Sequence, residues 1–345
     1  MRQVWVLGTG GTIAGVRRGD ERAGGYTAAV LGVDDLLAGV PCPSGWTVQA
    51  EQVASVDSKD MGWATWQALS TVLQQVLMER SADGVVITHG TDTLEETACL
   101  LDWLHDQRRP IVLTAAMRPA TAADADGPTN LRDALSAVAA LAKAGLGGVW
   151  VVMQGRLWPA ARVRKAHTHA VDAFDGGGGS PAAVRDASGQ WRVMPAEERV
   201  DDAVSDMGWG GLAVRPAQAP LWSWFVQQPR PRVECVLSHA DADGWAVRAW
   251  LAFESPSPLA GVVVACTGHG TVHQGLQEAL TQAHQQGVVV WRSSRVARGG
   301  VTMHPDDPSW PATGPLTPAQ ARLALCLHLL QAPDRGCVRA FMAAS

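Results

Sequence analysis

Four short segments carry side chains able to do covalent or acid–base chemistry. The first is Val6-Leu7-Gly8-Thr9-Gly10-Gly11-Thr12-Ile13-Ala14-Gly15, an apolar strand running into a glycine turn. Glycines beside a threonine at a strand's carboxyl end expose a hydroxyl to a ligand in the crevice there. An ordinary strand-to-helix turn explains the same residues, and spacing leaves the two readings level. A dinucleotide fingerprint does not fit. Its third glycine would fall at Ile13, and Val16–Gly25 is a polar, glycine-rich loop where an amphipathic helix should receive a pyrophosphate. That loop reads as a lid ending at Tyr26, the one tyrosine of the chain.

The second segment, Gly84 to Thr97, is a buried strand, then His89-Gly90-Thr91-Asp92, then a helix. Thr93 and Glu96 have the spacing of a capping box. That leaves Thr91 and Asp92 unexplained at the carboxyl end of a strand, although an acid near a helix start also has a dipole to interact with. The third, Val56-Asp57-Ser58-Lys59-Asp60-Met61, is a polar cluster for which turn chemistry is the simple reading. The fourth, Arg162-Val163-Arg164-Lys165-Ala166-His167-Thr168, reads as a solvated basic face. His167 and His169 alternate as metal ligands do, but no carboxylate or cysteine adjoins them, so no metal is expected. Serine-elbow, phosphate-loop and H-E-x-x-H signatures are missing.

The elements that must position these groups follow from hydropathy. Val4–Leu7, Val85–Thr88, Ile111–Thr114 and Val149–Met153 are nearly continuous apolar runs, as in parallel strands buried on both faces. Helical spacing runs from Trp66 to Met78, and Asn130 is placed to cap Leu131–Lys143, with Gly145 just beyond. After the glycine run Gly176–Gly179 the stretch to Arg230 is rich in Pro, Trp and charge. Its second half reads as a linker. Strands Val233–Leu237, Val262–Ala265 and Val288–Trp291 follow, then a helix opened by Thr317-Pro318. The expected fold is α/β: a larger N-terminal doubly wound, mainly parallel sheet domain (1–190), a linker (191–229) and a smaller C-terminal α/β domain (230–345).

At 345 residues and 47% hydrophobic, the chain suits two domains. Its net charge of −5 and lack of a basic block argue against a nucleic-acid partner. Six scattered cysteines without a C-x-x-C pair read as buried thiols. No apolar run is long enough to span a bilayer. Met1–Leu7 enters a strand with no apolar leader, so a soluble cytoplasmic protein is expected. Fifteen tryptophans against one tyrosine read as packing residues.

Taken in order, these segments resemble the bacterial-type L-asparaginase/glutaminase family. Gly8–Gly15 resembles its first signature and Thr88–Thr97 its second. The match continues through Ala115-Ala116-Met117-Arg118-Pro119, Asp126-Gly127-Pro128, Asn130-Leu131 and Arg164-Lys165. It extends to Thr267-Gly268-His269-Gly270-Thr271 and Ser293-Ser294-Arg295 near the other end. The resemblance implies an amidohydrolase of asparagine catabolism, needing no cofactor, that turns L-asparagine into L-aspartate and ammonia through a covalent acyl-enzyme. The alternative is a glutaminase-asparaginase with comparable activity on L-glutamine. A silent amino-acid-binding protein and a subunit acting on aminoacyl-tRNA are rivals of other classes. The intact residue set opposes the first, and the lack of an RNA-binding segment or basic stripe opposes the second.

The same resemblance implies the roles. Thr12 is the nucleophile with Tyr26 beside it, and Thr91, Asp92 and Lys165 form a second catalytic set. Ser58 holds the substrate α-carboxylate, Asp92 its α-ammonium, and the Ala116 carbonyl lies near the leaving amide. Gly11 and Gly90 line the substrate. A hydroxyl is a weak nucleophile and needs a base, and an amine serves as one only when its surroundings depress its pKa. Amides of the two glycine turns supply an oxyanion site, each donor worth roughly 3–4 kcal/mol. Lys59 and His269 depart from the family pattern at positions bearing on substrate preference. Thr271 is implied to reach a neighbouring subunit's substrate, which makes a homo-oligomer, a tetramer built as a dimer of dimers, the expected assembly.

Overall fold

The computed structural model describes residues 1–17, 25–194, 219–303 and 310–330. They divide into two compact units, one ending at Gln227 and one beginning at Gln228. In chain order the first unit opens with β1 (Arg2–Gly10), the hairpin pair β2 (Val16–Arg17) and β3 (Tyr26–Thr27), α1 (Val33–Leu37) and β4 (Trp46–Val56). Next come α2 (Trp63–Gln74), β5 (Gly84–Thr88), α3 (Leu94–Leu104), β6 (Pro110–Thr114), α4 (Gly127–Lys143) and β7 (Gly148–Met153). It closes with β8 (Arg156–Pro159), β9 (Arg164–Lys165), β10 (Phe174–Asp175), β11 (Ala183–Arg185), β12 (Trp191–Val193) and α5 (Trp222–Val226).

Its main sheet has the order β12-β11-β8-β7-β6-β5-β1-β4. β4, β1, β5, β6 and β7 run parallel, while β8, β11 and β12 are added antiparallel. The three inner strands β5, β6 and β7 are buried at every residue, which is why they read as unbroken apolar runs. Alternate strand residues face opposite sides. Val4, Val6, Val86, Val112 and Val152 therefore share one face, covered by Leu131, Leu135, Val138 and Leu141 of α4. Because the inner strands are parallel, the turns leaving β1, β4, β5 and β6 all emerge at one edge of the sheet, where ligands bind in such folds.

The second unit is a parallel three-stranded sheet, β13 (Arg232–Leu237), β14 (Leu259–Cys266) and β15 (Val289–Ser294), in the order β13-β14-β15. α6 (Trp245–Ala252) and α7 (Gln274–Gln285) pack on one face through Val247, Leu276, Ala279, Leu280 and Ala283. α8 (Pro318–Leu329) packs so closely on β14 that a Cβ on Gly261 would lie 2.8 Å from Leu325 Cδ2. Thr317 and Gln320 form a reciprocal capping box at the start of α8, as their sequence positions suggest.

Several local expectations change. Pro128 sits in the first turn of α4, so the helix starts at Gly127 and Asn130 is inside it rather than capping it. Thr93 caps nothing with its side chain; its hydroxyl donates to the Ser58 carbonyl. The helix expected over Trp66–Met78 begins at Trp63 and ends in a π-turn over Gln75–Glu79. Two ends of the expected linker are structured: Trp191–Val193 is the outermost strand β12, and Trp222–Val226 is α5, whose Phe225 ring lies 4.7 Å from that of Trp63. The middle of that linker (195–218), the middle of the expected lid (18–24) and Cys337 lie outside the described residues. None of the other five cysteines is in a disulfide; Cys99, Cys266 and Cys326 are buried as expected, whereas Cys42 and Cys235 are exposed. No helix among the described residues is long and apolar enough to cross a membrane.

Candidate active site

β1 ends at Gly10, and Gly11 follows it; their φ values of +100° and +83° are costly for a residue with a Cβ. The Gly11 amide donates to the Val56 carbonyl at the end of β4, and the chain then turns through Thr12–Ala14 in a single 3₁₀ turn. No helix follows, in keeping with the exclusion of a dinucleotide site. A Cβ on Gly11 would stand 2.3 Å from the Gly90 Cα, and one on Gly90 would stand 2.5 Å from the Ser58 Oγ. Three turns, from β1, β5 and β4, thus meet backbone to backbone. Only glycine permits that approach.

Thr12 is 7% exposed, and its Oγ1 lies 2.6 Å from the Tyr26 Oη. Tyr26 arrives from the β2–β3 hairpin, 39% exposed. Gly15 makes room for it, since a Cβ there would lie 2.8 Å from the tyrosine ring. The lone tyrosine and the glycine-turn threonine are therefore one hydroxyl pair.

A second cluster forms on the adjoining turn. Lys165 Nζ donates to the Thr91 Oγ1 at 2.9 Å and to the Asp92 Oδ1 at 2.6 Å. Thr91 is 5% exposed. The Lys165 backbone amide donates to the Glu95 carboxylate at 2.5 Å. The lysine is thus held at its tip and at its backbone by one turn of chain, Thr91 to Glu95. Glu95 was not singled out from sequence. Its partner lies 70 residues away in sequence, and no local spacing marks it.

Ser58, 3% exposed, adjoins the second cluster. Its Oγ accepts from the Asp92 amide at 3.1 Å, so its own O–H is available to donate. Ala116 is buried against Ile13 and Ala14. The turn that carries it is pinned by Asp126, whose carboxylate accepts from the Met117 and Arg118 amides, and by Asn130, whose amide donates to the Ala115 carbonyl. Asp126 enters the sequence reading only through the family resemblance and Asn130 also as a helix cap; in the structure both hold this turn. Lys59 is turned into ion pairs with Asp60 and Asp57 at the surface. The hydrogen bond to Asp60 raises its pKa.

In the second unit, Thr271 closes a five-residue turn: Thr267 and Thr271 exchange backbone hydrogen bonds, and their hydroxyls lie 2.8 Å apart. The buried Arg292 donates to the Gly270 carbonyl and Ser294 to that of Gly268. The His269 Nε2 accepts from the Thr302 hydroxyl and amide. Among the described residues no group of His, Cys, Asp and Glu is arranged to hold a metal ion. The rings of His167 and His169 instead meet edge to face, their centroids 4.5 Å apart.

The asparaginase N-terminal domain matches residues 3–196, and the glutaminase/asparaginase C-terminal domain matches residues 232–342. The chain belongs to the asparaginase family. It is 32% identical to L-asparaginase 2 of Escherichia coli (strain K12) over 96% of this chain and 90% of that one. It is 31% identical to the glutaminase-asparaginase of Pseudomonas fluorescens biotype A, covering 97% and 88%. A probable cytoplasmic L-asparaginase from Campylobacter jejuni superposes with a TM-score of 0.83 at 30% identity, each chain covered in full.

In this member of the family, the site is assembled through the Gly11–Gly90 contact, which sets a stability test. Gly39 also has a positive φ (+79°) but nothing within 4 Å of a Cβ. Gly39→Ala is expected to cost about 1 kcal/mol, the backbone penalty alone. Gly11→Ala adds a collision with the Gly90 backbone and is expected to cost about 3 kcal/mol or more. Denaturant unfolding of the two variants measures the difference. Equal losses would mean that the turns do not touch.

Proposed function

We propose that the protein hydrolyses the side-chain amide of L-asparagine to L-aspartate and ammonia, with Thr12 as the nucleophile. The observation that carries this is the Thr12–Tyr26 hydroxyl pair at 2.6 Å on a turn that touches the turn holding Thr91, Asp92 and Lys165. Thr12 Oγ bonds to the amide carbon as its proton passes to the base system. The tetrahedral oxyanion collapses, the C–N bond breaks, and the nitrogen leaves with a proton as ammonia. Water then cleaves the resulting ester, returning the Thr12 hydroxyl and releasing aspartate. Tyr26 relays the proton of Thr12, and Lys165, fixed by Asp92 and hydrogen-bonded to Thr91, handles protons on the other side.

Backbone amides of the Gly11 and Gly90 turns are the oxyanion donors in this reading. Ser58, with a free O–H, takes the substrate α-carboxylate, and Asp92 takes the α-ammonium. The Ala116 carbonyl faces the leaving nitrogen. Lys59, one residue beyond Ser58, tunes the charge met by the substrate's amino end. Comparable use of L-glutamine is the second reading, favoured by the name of the Pseudomonas relative. The cytoplasm is the proposed compartment, on the strength of the Campylobacter neighbour's name, although a relative from Haemophilus influenzae is named as periplasmic.

Steady-state ammonia release from the two amides tests the reaction and ranks the substrates. Wild-type protein is expected to release ammonia from asparagine, and Thr12→Ala is expected to lose about a thousandfold or more in kcat while remaining folded. A variant that keeps roughly a tenth of wild-type kcat contradicts a nucleophilic Thr12.

Assembly enters through Thr271. The turn Thr267–Thr271 is rigidly presented and exposed, which suits a group offered to a neighbour's substrate. A shared site requires at least a two-fold dimer, and a dimer of dimers is the proposed assembly. Inactive Thr12→Ala protein mixed with an inactive Thr271→Ala protein, under conditions that exchange subunits, is expected to regain activity. No recovery despite demonstrated exchange, or a fully active monomer, refutes the shared site.

A further inference from the structure

Behind the Gly90–Thr91 turn lies a buried group that the proposed chemistry does not use. His89 directly follows β5 and is wholly enclosed. Its Nδ1 lies 2.7 Å from the Gly90 carbonyl oxygen, and its Nε2 lies 2.9 Å from the Thr97 Oγ1 on α3. The Trp66 Nε1 on α2 lies 2.9 Å from the same Thr97 oxygen.

The two ends of this chain decide its direction. An indole N–H can only donate, and a carbonyl oxygen can only accept. Trp66 therefore donates to Thr97, and the His89 Nδ1 carries the proton it donates to Gly90. In a neutral ring the Nε2 is then an acceptor, and it takes the Thr97 hydroxyl proton. Every donor has one acceptor, and every proton has one place. Burial pushes the His89 pKa down to about 4, so the ring stays neutral well below physiological pH. A protonated ring would carry N–H groups at both nitrogens and leave the Thr97 proton without its acceptor.

What the chain holds is a peptide group. Gly90 has no side chain to set its own conformation. The bond to Thr91 is trans, as are all peptide bonds described. In a trans peptide the carbonyl and the following N–H point in opposite directions. Fixing the Gly90 oxygen against the enclosed imidazole therefore turns the Thr91 N–H the opposite way, away from the imidazole. It also steadies the start of Thr91, whose hydroxyl meets Lys165. An amide held in advance stabilises developing negative charge without reorganising, whereas a peptide free to turn over would present its carbonyl oxygen instead.

We infer that Thr97 and His89 form a proton-ordered strut that orients the Gly90–Thr91 peptide for the transition state. Both are positioning residues, since neither touches the reacting atoms. The inference rests on the amidohydrolase reading above. It also accounts for one tryptophan beyond packing, because Trp66 satisfies the Thr97 oxygen and leaves its proton for His89.

The test is Thr97→Val, close in shape but lacking the hydroxyl. It is expected to lower kcat on asparagine about 10- to 100-fold, with KM changed by less than about threefold, since the lost orientation matters in the transition state. Thr97→Ser is expected to return kcat to within about threefold of wild type. Trp66→Phe, which leaves the Thr97–His89 bond in place, is expected to cost less than Thr97→Val. Nitrogen-15 spectra of histidine-labelled wild-type protein give an independent readout, with the His89 signals identified by their loss in His89→Gln. They are expected to show a protonated Nδ1 and a bare Nε2 down to about pH 5. This second measurement decides the matter if Thr97→Val does not fold. A bare Nδ1, or Thr97→Val with kcat within about twofold of wild type, overturns the strut. An active Thr97→Val beside an inactive Thr12→Ala removes the strut alone. Retained activity in Thr12→Ala removes the reading on which it rests.

Discussion

The site depends on a contact between two pieces of backbone. Gly11 and Gly90 lie so close that a single methyl group on either would collide with the opposite turn or with Ser58. Each glycine lies in the turn just beyond a parallel strand of the first unit, and those strands, β1 and β5, are direct neighbours in the sheet. The sheet delivers both turns to one edge, and the missing side chains let them touch there. Thr12 and Thr91, the next residue after each glycine, are thereby brought onto adjoining turns, each with its own hydrogen-bonded partner set. Close packing of this kind has little slack, so its geometry is set by the fold and not by mobile side chains.

Around that contact the structure invests hydrogen bonds in holding backbone rather than in making more functional side chains. Asp126 and Asn130 grip the turn after β6 through its amides and a carbonyl. Glu95 grips the backbone of Lys165, and His89 grips the carbonyl of Gly90. Buried polar groups are costly unless paired, so each of these pairs removes alternatives to the observed conformation as well as satisfying itself. A site supported in this way has its dipoles in place before the substrate arrives.

Much of this was legible in the sequence, and the exceptions have a common cause. The parallel strands announced themselves because burial on both faces demands unbroken apolar runs, as in Val85–Thr88. Thr12 and Tyr26, fourteen residues apart, were marked by a glycine turn and by the tyrosine's being the only one. The misread features were local patterns taken over by distant partners. Thr93 had the position of a cap, but its hydroxyl goes to the Ser58 carbonyl, 35 residues earlier. Glu95 has its partner 70 residues later in Lys165, and no local spacing records that. Asn130 was read as a helix cap because its neighbours allowed it, whereas Pro128 had already begun the helix. Trp66 is among the tryptophans read as packing, and nothing in the sequence singles out His89 or Thr97. Only the fold brings them into line.

The central claim is that Thr12, and not Thr91, attacks the substrate. Both hydroxyls are buried and both have a hydrogen-bonded partner, so geometry alone makes them competitors. An asparagine analogue carrying a diazoketone in place of the side-chain amide alkylates the attacking hydroxyl, and peptide mass spectrometry then identifies the labelled residue. The account predicts a single label on the peptide containing Thr12, suppressed by excess aspartate. A label on Thr91 with Thr12 unmodified would contradict it.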